Sequence, residues 1–224
     1  MLSIQNVSFN YNNQPLFDNV NLELGTGEFA FLIGKSGSGK TTLLQLIYMN
    51  ILPQSGTVTV GNFNSRTIKR NELALLRRKI GIVFQDFKLL SDRDVQANLS
   101  FVLEVTGASR KEIKKKVSDA LNEVGLSHKR KNMPDQLSGG EKQRVSIARA
   151  IINEPLIILA DEPTGNLDPD TSKEILDLLQ KINKRGTAVL FATHDYDMVR
   201  QGNTRIFKIE GGKILKGHLK QKDQ

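Results

Sequence analysis

A chain of 224 residues has room for one compact domain with a subdomain, and not for two independent ones. At 38% hydrophobic and 25% charged, with 18 Gly and 6 Pro, its composition excludes disordered and collagen-like classes. The absence of Cys excludes disulfides, thiolate metal sites and cysteine nucleophiles together, and agrees with a reducing compartment.

The formal charge of +8, from 32 basic and 24 acidic side chains, suits nucleic acid, anionic lipid or a polyphosphate ligand without choosing among them. The apolar runs Phe29–Ile33, Leu156–Ala160 and Ala188–Ala192 are far shorter than the roughly eighteen residues a membrane span needs, so no span is predicted. The opening MLSIQNVSFN has neither a basic n-region nor an apolar h-region. A chain without a secretory signal, staying in the cytoplasm, is the expectation.

In chain order, Leu2–Phe9 and Val20–Leu24 mix polar with apolar residues, as half-exposed antiparallel strands do, and Gly56–Val60 reads the same way. These three are assigned to a peripheral sheet. Phe29–Ile33, Ile80–Phe84, Leu156–Ala160 and Ala188–Phe191 are short and almost wholly apolar, as in strands buried on both faces of a parallel sheet. Between residues 86 and 154 no convincing strand occurs. Val95, Leu99, Val102 and Leu103 make one amphipathic face there, and Ile113, Val117, Ala120, Leu121 and Val124 another. Arg110, Lys111, Lys114, Lys115, Lys116 and Lys129–Lys131 fall mostly opposite these stripes and read as a solvated face. Ile175, Leu178, Leu179 and Ile182 step by three and four toward Gly186, a helix with a glycine stop. The fold class is α/β, with a helical insert at 86–154 dividing a core of 1–85 and 155–224.

Residues 34–41, Gly34-Lys35-Ser36-Gly37-Ser38-Gly39-Lys40-Thr41, match G-x-x-x-x-G-K-[ST] between a buried strand and the helix begun by Leu43, Leu44, Ile47 and Tyr48. Glycines there let the backbone wrap closely and aim N–H groups at phosphate oxygens, and the helix N-terminus adds a favourable dipole. Lys40 would reach the β- and γ-phosphates and the Thr41 hydroxyl would ligate Mg²⁺. Asp161-Glu162 follows the strand Leu156–Ala160, at the edge where parallel sheets bind ligands. Either the pair caps the next turn, or Asp161 holds Mg²⁺ through its water shell and Glu162 polarises the attacking water. Leu137-Ser138-Gly139-Gly140-Glu141 opens another helix, with Ser138 as its N-cap, and makes a second anion site or a commonplace turn.

Taken together, the phosphate loop, LSGGE, the strand ending in Asp161-Glu162, Gln85 after an apolar strand and His194 after Ala188–Ala192 resemble the ATP-binding-cassette ATPases over essentially the whole chain. The resemblance implies a P-loop cassette with a mixed central sheet, a peripheral antiparallel sheet and a helical subdomain. It implies ATP and Mg²⁺ as cofactors, with Gly34, Lys35, Ser36, Gly37, Ser38, Gly39, Lys40, Thr41 and Thr42 around the phosphates and Tyr11 stacked on adenine. It also implies a homodimer closing head to tail around ATP, with Ser138, Gly139, Gly140, Glu141 and Asp168 acting in trans. Glu162 matches the catalytic base, His194 the switch histidine on the γ-phosphate and Gln85 the loop glutamine at Mg²⁺, while Thr41 and Asp161 complete the metal set.

Within the family, the stretches 84–90, 92–93 and 103–107 resemble the bacterial cell-division branch. That implies an FtsX-like transmembrane partner, a peripheral position on the cytoplasmic face of the membrane, and a groove for the partner bounded by Phe87, Leu89, Leu90 and the helix around Val95–Val102. The same apolar residues could instead pack the insert against the core. The stretch 161–168 is shared with lipoprotein-release and macrolide-export ATPases, so a true transporter subunit is the alternative. A soluble cassette acting on DNA or ribosomes would carry two cassettes or long coiled coils, and no direct nucleic-acid partner is expected.

Overall fold

The computed structural model describes residues 1–12, 14–200 and 204–218. In chain order the elements are β1 (Leu2–Tyr11), β2 (Gln14–Leu24), β3 (Phe29–Ile33), α1 (Lys40–Ile47), β4 (Ser55–Val60), β5 (Phe63–Asn64), α2 (Arg70–Arg78), β6 (Ile80–Val83), α3 (Val95–Val105), α4 (Arg110–Glu123), α5 (Gly139–Ile151), β7 (Ile157–Asp161), α6 (Pro169–Asn183), β8 (Ala188–Thr193), α7 (Tyr196–Arg200), β9 (Arg205–Glu210) and β10 (Lys213–His218). They build two sheets. One is antiparallel, in the order β2-β1-β4-β5; the other runs β10-β9-β3-β8-β7-β6. In the second, β9, β3, β8, β7 and β6 are mutually parallel and β10 returns antiparallel on β9.

The wholly apolar strands are explained by what covers them. Along β3, Phe31 and Ile33 join a core cluster on one face, while Ala30 and Leu32 join another on the opposite face. The alternation repeats in β7 (Ile158 and Ala160 against Ile157 and Leu159) and in β8 (Val189 and Phe191 against Ala188, Leu190 and Ala192). The first face is covered by α3, α4, α5 and α6 through Leu99, Leu103, Val117, Leu121, Val145, Ile175 and Leu179. The second takes Leu43, Leu46 and Ile47 of α1 and the apolar side of the antiparallel sheet, Leu2, Ile4, Leu22 and Val58 among them.

Contact between α5 and β6 is so close that a Cβ on Gly81 would lie 2.6 Å from the Ala150 carbonyl oxygen, so only glycine fits there. Among the described residues, 86–154 holds α3, α4 and α5 with short 3-10 turns and no strand. No helix among them is long and apolar enough to cross a membrane.

Several features differ from the sequence reading, with the short strand β5 and helix α7 among the elements not anticipated. The second strand begins at Gln14 and not at Val20, and Ile80–Phe84 ends one residue earlier, at Val83. The helix α2 and the hairpin β9–β10 were not anticipated. In α2 the only buried residue is Leu76, too little for an apolar stripe. In β9, Arg205, Lys208 and Glu210 interrupt Ile206, Phe207 and Ile209, so the strand lacks the uninterrupted apolar run of its parallel neighbours. The last positions of the expected 155–224 segment, 219–224, lie outside the described residues.

Candidate functional site

β3 delivers the phosphate loop. After Ile33 the chain turns through Gly37 (φ 76°) and Gly39 (φ 103°), a left-handed conformation that costs glycine nothing, and the Gly39 carbonyl accepts from Leu43 to start α1. Lys40, only 5% exposed, donates from Nζ to the carbonyls of Gly34 (2.9 Å) and Lys35 (3.3 Å). It also pairs with Glu162 Oε1 at 3.1 Å. The cation is thereby held at the mouth of a loop of main-chain N–H groups.

Because β3, β8 and β7 are neighbours and parallel, their C-terminal ends open on one edge of the sheet. The loop at 34–41, His194 and Asp161-Glu162, far apart in sequence, meet there for that reason. Glu162 sits in the left-handed region (φ 45°) with its amide on the Ala192 carbonyl at 2.9 Å, which points its side chain at both neighbours. Its Oε2 lies 2.9 Å from His194 Nδ1, so the ring N–H donates to the carboxylate and Nε2 is the nitrogen left over.

Asp161 is half-buried. That burial pushes its carboxyl above the usual range, opposed by a hydrogen bond from the Thr41 hydroxyl, and Oδ1 has no partner. Around these groups lies a cleft of about 580 Å³, lined by Tyr11, Leu16, Ser36, Gly37, Gly39, Lys40, Thr41, Thr42, Gln85, Asp161, Glu162 and His194. Tyr11 is 46% exposed and edge-on to Phe9 at 4.9 Å, so its ring is supported from behind and free in front.

Gln85 enters this cleft from the loop after β6. Asn166 Nδ2 donates to the Gln85 carbonyl at 3.2 Å, and a Cβ on Gly165 would stand 3.0 Å from Gln85 Nε2. Asn166 therefore anchors the main chain of Gln85, and Gly165 leaves room beside its side-chain amide. Buried Asn98 of α3 brackets Leu90, accepting from its amide (2.8 Å) and donating to its carbonyl (3.0 Å). Sequence reasoning assigned no role to Asn98, Gln143 or Arg149. The available signal was a polar residue on an apolar helix face, since Asn98 and Gln143 are 1% and 0% exposed.

Ser138, Gly139, Gly140 and Glu141 do not line the cleft. Ser138 caps α5 by accepting from the Glu141 amide (3.2 Å), and Glu141 accepts from the Ser138 amide (2.9 Å), a reciprocal capping box. That bond, with Lys129 at 3.1 Å, draws the Glu141 carboxyl below its usual range. The two glycines also make room for 167–171: a Cβ on Gly140 would stand 2.6 Å from Thr171 Cγ2, and one on Gly139 3.1 Å from Leu167 Cδ2. Asp168 accepts from the Thr171 amide at 2.9 Å as the N-cap of α6, and hydrogen bonds from the Thr171 hydroxyl and then its amide lower the carboxyl. Of the apolar residues after Gln85, Leu89 packs partly against the core, and Phe87 and Leu90 are half-buried. Phe101 (38% exposed) and Val105 (65%) extend an apolar surface along α3.

Comparisons with known proteins agree with this arrangement. The ABC transporter family pattern matches residues 17–165. The Mycobacterium tuberculosis cell division ATP-binding protein FtsE is 45% identical over 218 residues, 96% of this chain and 95% of that protein. FtsE of Bacillus subtilis is 46% identical over 205 residues, 92% and 90% of the two chains. Among solved structures, the dimeric ATP-binding cassette MJ0796 bound to ADP and Pi superimposes with a TM-score of 0.85 at 36% identity, covering 98% of this chain and 99% of that one. The chain belongs to the ABC transporter family of ATP-binding cassettes and, within it, to the FtsE cell-division ATP-binding proteins.

Proposed function

We propose that this chain is the ATP-hydrolysing subunit of an FtsEX-type membrane complex, in which closure of two cassettes is transmitted to a transmembrane partner that regulates septal peptidoglycan hydrolysis. One observation carries the reading of the site. The phosphate loop, Gln85, Asp161, Glu162 and His194 share one cleft, whereas the LSGGE helix end lies outside it. A second anion-binding helix end away from the first is what a head-to-tail dimer uses, with Ser138, Gly139, Gly140 and Glu141 of one protomer closing on the nucleotide of the other. Asp168 approaches the same junction as the cap of α6.

In the cleft, the loop 34–39 and the amides that open α1, with Thr42 beside them, bind the phosphates. Lys40, already aimed by the Gly34 and Lys35 carbonyls, neutralises the β- and γ-phosphates, and Tyr11 stacks on the base. Glu162 takes the proton of the attacking water, and the 2.9 Å contact between His194 Nδ1 and Glu162 Oε2 orients the ring at the γ-phosphate position. The residues fit Mg²⁺: the orphaned Asp161 Oδ1 and the Thr41 hydroxyl stand together with Gln85 on the same cleft. When bound, Mg²⁺ supplies charge neutralisation on the β- and γ-oxygens.

The partner surface is the groove between core and insert, with Phe87, Leu89 and Leu90 at its edge and the exposed Phe101 and Val105 along α3. A peripheral position at the cytoplasmic face of the membrane goes with such a partner. Purification from native membranes, with identification of what accompanies the chain, tests the assignment. An FtsX-like protein is expected, and its loss with Leu90→Glu at unchanged ATP binding locates the groove. A permease with a different periplasmic domain would assign the chain to lipoprotein release or export.

A further inference from the structure

The loop after Gln85 passes through two consecutive non-glycine residues in the left-handed region, Phe87 (φ 59°) and Lys88 (φ 49°). Neither is a residue type that takes this region readily, so groups outside the loop must hold it. Arg149, in the last turn of α5, does so. One terminal nitrogen donates to the Phe87 carbonyl at 2.7 Å and the other to the Lys88 carbonyl. Among the described residues no carboxylate pairs with this half-buried guanidinium, whose pKa burial lowers, so its two terminal nitrogens are committed to main-chain oxygens. Six residues earlier on the same helix, Gln143 donates to the Phe84 carbonyl at 3.4 Å. The helix α5 thus grips the chain on both sides of Gln85.

We propose that Arg149 is a positioning residue for Gln85: by fixing the carbonyls of Phe87 and Lys88 in their left-handed turn, it sets where the glutamine side chain stands in the cleft. The inference rests on the reading of that cleft as a Mg²⁺–ATP site. It also gives the LSGGE helix a direct hold on the glutamine loop, since both ends of α5 are engaged, Ser138 to Gly140 at its start and Arg149 at its close. The planar fork matters, because two adjacent carbonyls are met by two nitrogens of one rigid group, which the single ammonium of lysine does not reproduce.

The test compares wild type with Arg149→Met and Arg149→Lys. Measured are kcat and KM, the Mg²⁺ concentration for half-maximal turnover, ATP binding in EDTA, amide exchange of residues 84–91 and thermal melting. A misplaced Gln85 should lower kcat roughly 10- to 100-fold. It should also raise the Mg²⁺ requirement several-fold and speed exchange across 86–90, with EDTA-phase ATP binding unchanged. Arg149→Lys should fall on the same side of wild type, and it decides the matter if Arg149→Met does not fold. Folded variants with wild-type kcat and Mg²⁺ dependence overturn the proposal, as does lower melting alone, which marks a purely structural residue. A wild-type chain without Mg²⁺-dependent ATPase overturns the reading of the cleft and this inference with it; an active wild type with unaffected variants overturns only the role of Arg149.

Discussion

Glu162→Gln separates chemistry from binding more cleanly than any other change in the cleft. The carboxylate meets Lys40 Nζ at 3.1 Å and His194 Nδ1 at 2.9 Å. The amide keeps the shape and one acceptor oxygen but loses the charge. Solvent screens the His194 contact, the ring being 56% exposed, but not the contact to Lys40, which is 5% exposed, so the fold should lose about 1–3 kcal/mol, a melting shift of roughly 2–12 °C for a chain of this size. Loss of the general base should lower turnover by about 10²–10⁴, or roughly 3–5 kcal/mol in the barrier. ATP affinity should stay or rise, since Lys40 no longer shares its charge with a carboxylate. Phosphate release with Mg²⁺–ATP, nucleotide titration and sizing chromatography measure the three effects, and an ATP-bound dimer is expected to accumulate. Turnover at the wild-type rate would show that Glu162 is not the base. A KM raised in proportion to the lost rate would make it a binding residue, and a monomer with ATP and Mg²⁺ would weaken the trans role of Ser138 to Gly140.

Lys40→Ala should abolish ATP binding in the same titration, because among the described residues no other lysine or arginine lines the cleft; unchanged affinity would reject the site. For Asp161, the raised folded pKa means that the native state holds the proton more tightly than the unfolded chain. Its contribution therefore favours folding below the ordinary 3.8, is lost as pH rises through the folded value, and opposes folding at neutral pH. Asp161→Asn should melt at or above the wild-type temperature at neutral pH, with the gap closing in acid, while Mg²⁺-dependent turnover disappears; a lower melting temperature at neutral pH would refute the argument. Gly81→Ala should destabilise by about 1–3 kcal/mol, read by denaturant unfolding, because the new methyl meets the Ala150 carbonyl at 2.6 Å; a neutral effect would mean that α5 and β6 separate easily.

Local chemistry made much of this protein legible in its sequence. The buried strands Phe29–Ile33 and Ala188–Phe191 announce themselves because burial on both faces requires an unbroken apolar run. The phosphate loop is readable because its glycines, lysine and hydroxyl act within one turn of chain. Tertiary structure decided what depends on strand order: β8 lies between β3 and β7, and that order brings His194 to Glu162 and Glu162 to Lys40. It also decided how Gln85 is held. The anchors Asn166, Gln143 and Arg149 come from distant segments and act on main-chain carbonyls, which any residue presents, so the acceptors leave no mark on residue type. The strands β9 and β10 escaped notice for a related reason. A strand whose apolar residues are broken by charge is placed beside β3 by backbone hydrogen bonds, and its side-chain pattern does not carry the address of its neighbour.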